Sequence, residues 1–177
     1  MSEHLVHEVG NFRKEKDSYF GSDPGSPIPA EDRLGFKGLK YFPADPEYHV
    51  KARLTRSGKP EVVTMTTSKG TIRPYLKYGL FNFQLHGRTL ELHAYKAADD
   101  PHDHSLFVPF TDETSGRESY GAGRYLDIEE NRSADYVLDF NLAYNPYCAY
   151  NENYVCPFPG RENRLPIAVR AGEKNYK

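Results

Sequence analysis

From residue 36 to residue 95, apolar and polar residues alternate in short runs that turn residues separate. A period of two places successive side chains on opposite faces of a strand, so this pattern predicts an antiparallel sheet. The pairs Lys69-Gly70 and His86-Gly87 are typical of hairpin turns. The 14 tyrosines and 10 phenylalanines, with no tryptophan, also favour strands. The predicted strands are 36–42, 48–54, 62–66, 71–78, 80–85, 89–95, 106–110 and a closing strand at 165–171.

A different pattern precedes the alternating region. Residues 4–20 carry apolar side chains at helical spacing with charged residues between them, which predicts an amphipathic helix. Residues 21–33 are rich in Pro, Gly and Ser and are interpreted as a connector, so that 34–177 forms the β domain. A chain of 177 residues is expected to fold as a single domain over 1–177. The expected fold class is mainly β, an antiparallel barrel or sandwich with an N-terminal α-helix packed on it.

Charge and apolar content argue against several classes of partner. The net charge is -2 and both signs are mixed along the chain, which gives no basic face for phosphates and predicts no nucleic-acid partner. No apolar run approaches the roughly 20 residues that span a bilayer, and the first residues lack the apolar segment of a signal peptide. No membrane association and a cytoplasmic location are therefore expected. The oligomeric state and any cofactor stay open.

Arg124 is a charged residue that the sequence pattern predicts on an apolar face. Residues 124–141 can be arranged as a hairpin that places Arg124 opposite Phe140 on an apolar face. A buried guanidinium requires a carboxylate or several carbonyl partners, because an unpaired buried charge costs several kcal/mol. Asp112 and Glu118 are the nearest candidate partners in the sequence. An arginine held in this way could serve either the protein or a ligand.

Polar residues concentrate in two segments, the glycine-rich loop 110–127 and the strand that ends near Asn145. We interpret them as one pocket in an aromatic sheet, which binds a small polar or anionic molecule with Arg124 as its anchor. A purely structural role, tying a long loop to the barrel, is equally compatible with these residues. The candidate ligand-binding residues are Asp112, Ser115, Tyr120, Arg124, Tyr125, Asp139, Asn141 and Asn145.

Two cysteines, Cys148 and Cys156, lie in the segment beyond this strand. Their spacing suits a loop-closing disulfide and matches no common zinc template. Packed thiols, a disulfide or redox pair, a metal completed by a histidine and a nucleophilic thiol all stay open. His102 and His104 flank Asp103 in a polar loop, but alternate residues in a loop seldom converge on a metal ion. No metal site is predicted.

Two other functions compete with ligand binding. In the first, the chain is a hydrolase or a metal-assisted enzyme that uses Asp112 or Asp139 for acid–base chemistry, with Cys148 or a histidine completing the site. In the second, it is a structural or interaction module whose edge-strand tyrosines pair with another chain. The sequence does not decide among them.

Four blocks of the sequence carry a resemblance to a known family. They are FKGLKYFPADPEYHVKARL at 36–54, FTDETSGRESYGAGRYLD at 110–127, DFNLAYNPYCAY at 139–150 and CPFPGRENRLP at 156–166. Together they resemble the bacterial and archaeal family called domain of unknown function 1684, from the helix that contains Phe12 to Lys174. The resemblance implies a compact prokaryotic protein and no particular reaction. It marks Asp112, Thr114, Ser115, Gly116, Tyr120, Gly121, Gly123, Arg124, Tyr125, Asp139, Asn141, Tyr144, Asn145, Cys148, Cys156, Asn163 and Arg164.

Overall fold

The computed structural model describes residues 2–100 and 102–177. Within these residues the chain forms one α-helix and six β-strands. The strands make a single antiparallel sheet in the order β5-β4-β3-β2-β1-β6, which curls into a nearly closed barrel. This confirms the mainly β fold with one N-terminal helix. The elements are α1 (Ser2–Ser22), β1 (His49–Thr66), β2 (Ile72–Leu85), β3 (Arg88–Ala97), β4 (Ser105–Phe110), β5 (Arg124–Glu129) and β6 (Asp135–Asp139).

The barrel interior is filled by alternate residues of the strands, as the period of two predicts. In β3, Leu90, Leu92 and Ala94 are buried, whereas Glu91 and His93 point outward. Burying a leucine or phenylalanine side chain contributes about 1.5–3 kcal/mol, so this core supplies most of the driving force for folding. The residues with no exposed surface in this core are Phe81, Leu92, Ala94, Leu106, Val108, Phe110, Leu138, Phe140, Val169 and Ala171.

Two strands are longer than the sequence pattern predicted. The predicted strands 48–54 and 62–66 are parts of β1, and 71–78 and 80–85 are parts of β2. The pairing register shifts within each strand, between Arg56 and Glu61 in β1 and between Lys77 and Gly79 in β2. A bulge changes which face the next side chains occupy, so a continuous strand looks interrupted in sequence.

Two predicted strands are absent from the described residues. Segment 36–42 makes a single bridge, between Tyr41 and Glu173, and otherwise has no strand structure. Segment 165–171 is irregular, although Leu165 and Ala171 are buried in the core with the alternate residues between them. Its alternation therefore reflects real burial, but its backbone does not continue the sheet.

The predicted hairpin over 124–141 is wrong. β5 pairs with β4, which places Arg124 opposite Phe110 rather than Phe140. β6 pairs with β1 at the far edge of the sheet, where Asp139 lies opposite His49. Both strands have the expected alternation, but alternation fixes only the buried face and not the partner strand.

Helix α1 is held to the barrel by one ion pair and an aromatic cluster. Lys16 Nζ lies 2.8 Å from Glu173 Oε1, and both side chains are largely buried. Phe20 packs edge-on against Tyr147 and Tyr150, with ring centroids 6.0 Å and 5.2 Å apart. These contacts place the helix beside the outer face of the sheet and leave a groove between the two.

Candidate functional site

The structure buries Arg124 and satisfies its charge within the protein. The side chain is 1% exposed. Its guanidinium donates hydrogen bonds to Asp112 Oδ2 and the Val169 carbonyl at 2.8 Å, and to the carbonyls of Ala171 and Glu173. Burial lowers the pKa of Arg124, and the Asp112 carboxylate opposes this shift. The irregular segment after Leu165 thus turns its carbonyls toward the guanidinium instead of toward a neighbouring strand.

Asp112 is equally committed to internal contacts. It accepts hydrogen bonds from the backbone and side chain of Thr114 at 2.8 and 2.6 Å and from the Val169 backbone at 3.1 Å. Neither Asp112 nor Arg124 lines the two grooves described below. The charges of Asp112 and Arg124 join the loop to the C-terminal segment, so this geometry gives no support to Arg124 as a ligand anchor or to Asp112 as an acid–base group, and both stay predictions.

Three further candidates also tie loops together. Ser115 Oγ accepts a hydrogen bond from the Asp112 backbone at 3.0 Å. The Asn141 side chain bonds to both backbone groups of Asp45, at 2.9 and 2.8 Å. Asn145 Nδ2 donates to the Lys174 carbonyl at 2.9 Å. These contacts supply what irregular backbone requires, so the structure does not bring these residues together at a ligand pocket.

Asp139 lies in a groove of about 1420 Å³ formed by residues of β1, β2, β5 and β6, which we call the polar groove for its charged side chains, among them Lys51, Arg53 and Glu129. Its Oδ2 is 3.1 Å from His49 Nδ1, and its Oδ1 accepts from Asn141 Nδ2 at 3.0 Å. A carboxylate that orients a histidine is one part of a hydrolytic site. The predicted enzyme site paired Asp112 or Asp139 with Cys148 or a histidine; His49 is the histidine beside Asp139, and Cys148 does not line this groove.

A second groove, of about 710 Å³, lies between α1 and the outer face of the sheet, and we call it the aromatic groove. Outward-facing residues of β2, β4 and β5 form its floor, and the segment 144–157 forms a wall. Phe107 and Tyr125 pack edge-to-face at 4.7 Å, and Tyr125 and Tyr144 do so at 5.6 Å. Nine aromatic side chains line it: Phe12, Tyr19, Phe20, Tyr75, Phe107, Tyr125, Tyr144, Tyr147 and Tyr154.

One carboxylate stands where the aromatic groove meets the polar groove. Asp127 lines both, together with Phe12 and Tyr144. Tyr144 Oη donates to Asp127 Oδ2 at 2.5 Å. The surrounding side chains raise the pKa of Asp127 by desolvation, and the tyrosine hydrogen bond opposes that rise. Our sequence reasoning missed Asp127, although it lies two residues after Tyr125 and therefore on the same face of β5.

Two cations also line the aromatic groove, and they differ in availability. Lys16 is paired with Glu173 and lies 4.9 Å from the Tyr144 ring centroid, so its charge is already used within the protein. Arg73 is exposed and donates to the Val155 carbonyl at 3.4 Å. The end of the groove near Asp127 is thus dominated by aromatic rings and a carboxylate.

Cys148 and Cys156 lie together as free thiols. The Cys148 backbone N–H donates to Cys156 Sγ at 3.4 Å, and Tyr120 Oη lies 3.6 Å from Cys148 Sγ. Cys156 is buried and lines the aromatic groove, whereas Cys148 is half-buried and does not. The structure thus brings Tyr120 to the cysteines and not to Arg124.

Residues 2–100 and 102–177 contain neither a cluster of metal ligands nor a helix that could span a membrane. No group of three or more His, Cys, Asp or Glu side chains is arranged to hold a metal ion. No helix in these ranges is long and apolar enough to span a membrane.

Comparison with known proteins points to one family. A family model described as "Protein of unknown function (DUF1684)" matches residues 34–174. The chain is also similar to an uncharacterised protein of the archaeon Haloarcula marismortui, whose structure was solved by solution NMR. The two share 42% sequence identity and a TM-score of 0.74, over 97% of this chain and 95% of the other. Among curated proteins there is no significant match.

Proposed function

This chain belongs to the DUF1684 family of proteins of unknown function, and we propose that it binds a small organic molecule in the aromatic groove. One observation carries the proposal: nine aromatic side chains surround a groove whose lining has two carboxylates, Glu15 on α1 and Asp127 on β5, and Asp127 stands where the groove meets the polar groove. Small-molecule sites typically measure 300–1,000 Å³ and combine apolar walls with a few oriented polar groups. The groove, at about 710 Å³, has this size and this composition.

The ligand that fits these walls has a planar apolar body and an amine or another hydrogen-bond donor. Aromatic faces attract planar groups and cations. The Asp127 carboxylate accepts hydrogen bonds, and the phenol of Tyr144 holds it in place. An anionic group is disfavoured beside Asp127, because the carboxylate would repel it and Lys16 is paired with Glu173; the exposed cation of the groove, Arg73, donates to the Val155 carbonyl. The proposed ligand is therefore still small and polar, but Asp127 and not Arg124 binds its polar group.

The charge preference can be tested with two probes of equal shape, 2-naphthylmethylamine and 2-naphthoate. We expect the amine to shift the backbone NMR signals of Tyr125, Asp127 and Tyr144, and to bind at least about 10-fold more tightly than the carboxylate, because a hydrogen bond to a charged group contributes about 1.5–3 kcal/mol. Asp127→Asn should remove this difference. Glu129→Gln is the matched control, because Glu129 is the next outward residue of β5 and lines only the polar groove. Equal binding of both probes would contradict the assignment of Asp127.

The location of the ligand can be tested by placing a large side chain at the edge of the aromatic groove. Val155 lines the aromatic groove and is 39% exposed, so Val155→Trp should be tolerated by the fold. The indole should occupy the ligand space and weaken binding of 2-naphthylmethylamine at least about 10-fold. Val62→Trp is the control, because Val62 is 62% exposed on β1 and lines neither groove. If both variants bind the amine as the unmodified chain does, the ligand lies elsewhere.

A further inference from the structure

We propose that Cys148 and Cys156 are a site of reversible oxidation by hydroperoxides, in which Cys148 attacks and Cys156 resolves. The attacking residue, Cys148, does not line the aromatic groove, whereas the resolving residue, Cys156, does. The site is built from two separate contacts on Cys148, one from the Cys156 side and one from the Tyr120 hydroxyl. Each contact supports one step of the reaction.

The backbone holds the two thiols side by side. Cys148 lies in a short 3-10 turn, Tyr147–Ala149, and its N–H donates to Cys156 Sγ at 3.4 Å. Cys156 is fixed to the turn between β1 and β2, because its N–H donates to Ser68 Oγ at 3.1 Å and its carbonyl accepts from the Ser68 N–H at 2.9 Å. A disulfide between these residues would close a short loop on the barrel.

The two cysteines differ in exposure and in acidity. Cys148 is half-buried, so a small oxidant can reach it, whereas Cys156 is 7% exposed and shielded. Hydrogen bonding from the Cys156 thiol lowers the pKa of Cys148 to about 6 against the opposing effect of burial, and the hydroxyls of Tyr120 and Ser68 help to lower it. The adjoining Cys148 sulfur raises the pKa of Cys156. The thiolate is the reactive form, so Cys148 is the attacking residue.

Tyr120 is a suitable proton donor beside the attacking sulfur. Its hydroxyl lies 3.6 Å from Cys148 Sγ. Burial and the neighbouring Cys148 raise the pKa of Tyr120, so the phenol keeps its proton at neutral pH. It can therefore stabilise the thiolate and donate to the oxygen that leaves from the hydroperoxide.

The reaction balances with a hydroperoxide as the oxidant. The Cys148 thiolate attacks the terminal oxygen, an S–O bond forms, the O–O bond breaks, and the departing alkoxide takes a proton to become an alcohol. Sulfur loses two electrons and the peroxide gains them. The Cys156 sulfur then attacks Cys148, an S–S bond forms, the S–O bond breaks, and water leaves. An external thiol returns the disulfide to two thiols.

Hydrogen peroxide on the reduced full-length chain tests the proposal. We expect the two free thiols to disappear, the mass of the monomer to fall by about two hydrogens, and dithiothreitol to reverse both changes. Cys156→Ser should stop at a sulfenic acid on Cys148 that dimedone captures. Cys148→Ser should slow loss of the remaining thiol at least about 10-fold. Tyr120→Phe should slow the first step several-fold and still permit the disulfide.

Two results of the oxidation experiment would overturn this assignment. One is loss of thiols at the same rate in Cys148→Ser as in the unmodified chain. The other is a disulfide found only between two chains on a non-reducing gel.

The acidity of Cys148 gives an independent measurement. The rate of alkylation by iodoacetamide should rise with pH with a midpoint near pH 6, and Cys156→Ser should raise that midpoint. The ionisable groups that face Cys148 are Cys156, Tyr120 and, more distantly, Tyr125. A midpoint near pH 9 in the unmodified chain would also contradict the proposal.

Discussion

Asp112→Asn is expected to lower the free energy of unfolding by about 3–5 kcal/mol, the cost of removing one partner from a buried ion pair. The Arg124 guanidinium is 1% exposed and would keep its charge without its carboxylate. Both carboxylate oxygens of Asp112 accept from N–H donors, so either orientation of the new amide would place its NH2 group against a donor. For a chain of this length such a loss lowers Tm by roughly 10 °C.

The measurement is urea unfolding followed by circular dichroism, with Glu118→Gln as the matched control. Glu118 pairs with Arg170 at 2.9 Å, but the two side chains are 39% and 58% exposed, so solvent screens their attraction. Loss of such a surface pair should leave the free energy of unfolding almost unchanged. If Asp112→Asn and Glu118→Gln lower the free energy of unfolding equally, burial does not make the Asp112–Arg124 pair more important for stability than the surface pair.

Gly172→Ala is expected to destabilise the protein by more than about 3 kcal/mol, and soluble yield should fall. Gly172 has φ +76°, where an L-residue costs about 1–2 kcal/mol. A Cβ there would also lie 2.5 Å from the Ala143 carbonyl oxygen and 2.8 Å from that of Phe140. These are backbone atoms, so relief of the clash would move the carbonyls of Ala171 and Glu173 that bind Arg124.

Gly70→Ala separates the two causes. Gly70 has φ +74°, but a Cβ there meets no atom within 4 Å, so its substitution measures backbone strain alone. We expect a loss of about 1–2 kcal/mol at Gly70 and a clearly larger loss at Gly172, both from urea unfolding. If the two substitutions lower the free energy of unfolding equally, the contacts of the added Cβ with the carbonyls near Gly172 have no effect of their own.

The fold class could be predicted from the sequence because buried residues recur at helical spacing in a helix and at every second position in a strand. The helix over 4–20 is observed as Ser2–Ser22, and the period of two marks the interior face of every strand. Strand pairing could not be predicted in the same way. β5 and β6 are neighbours in sequence, yet they pair with β4 and β1 respectively, and nothing in the local pattern of either strand specifies that choice.

The candidate site was predicted in part, and the reasons differ between residues. The sequence correctly required an acidic partner for Arg124, and Asp112 provides it. It could not show that carbonyls from the C-terminal segment would bind both terminal nitrogens of the guanidinium. The aromatic groove was missed because its walls come from α1, three strands and the segment 144–157. Each of its aromatic residues looks like an ordinary core residue when read alone.

The strand order has a consequence for synthesis on the ribosome. The first five residues of β1 receive their outer partner from β6, and His49 and Asp139 are 90 residues apart. At about 5–20 residues per second, the nascent chain displays an unpaired β1 edge for roughly 5–20 s before β6 emerges. Lys51 and Arg53 alternate along that edge, and their charges disfavour pairing with a strand of another nascent chain until β6 arrives.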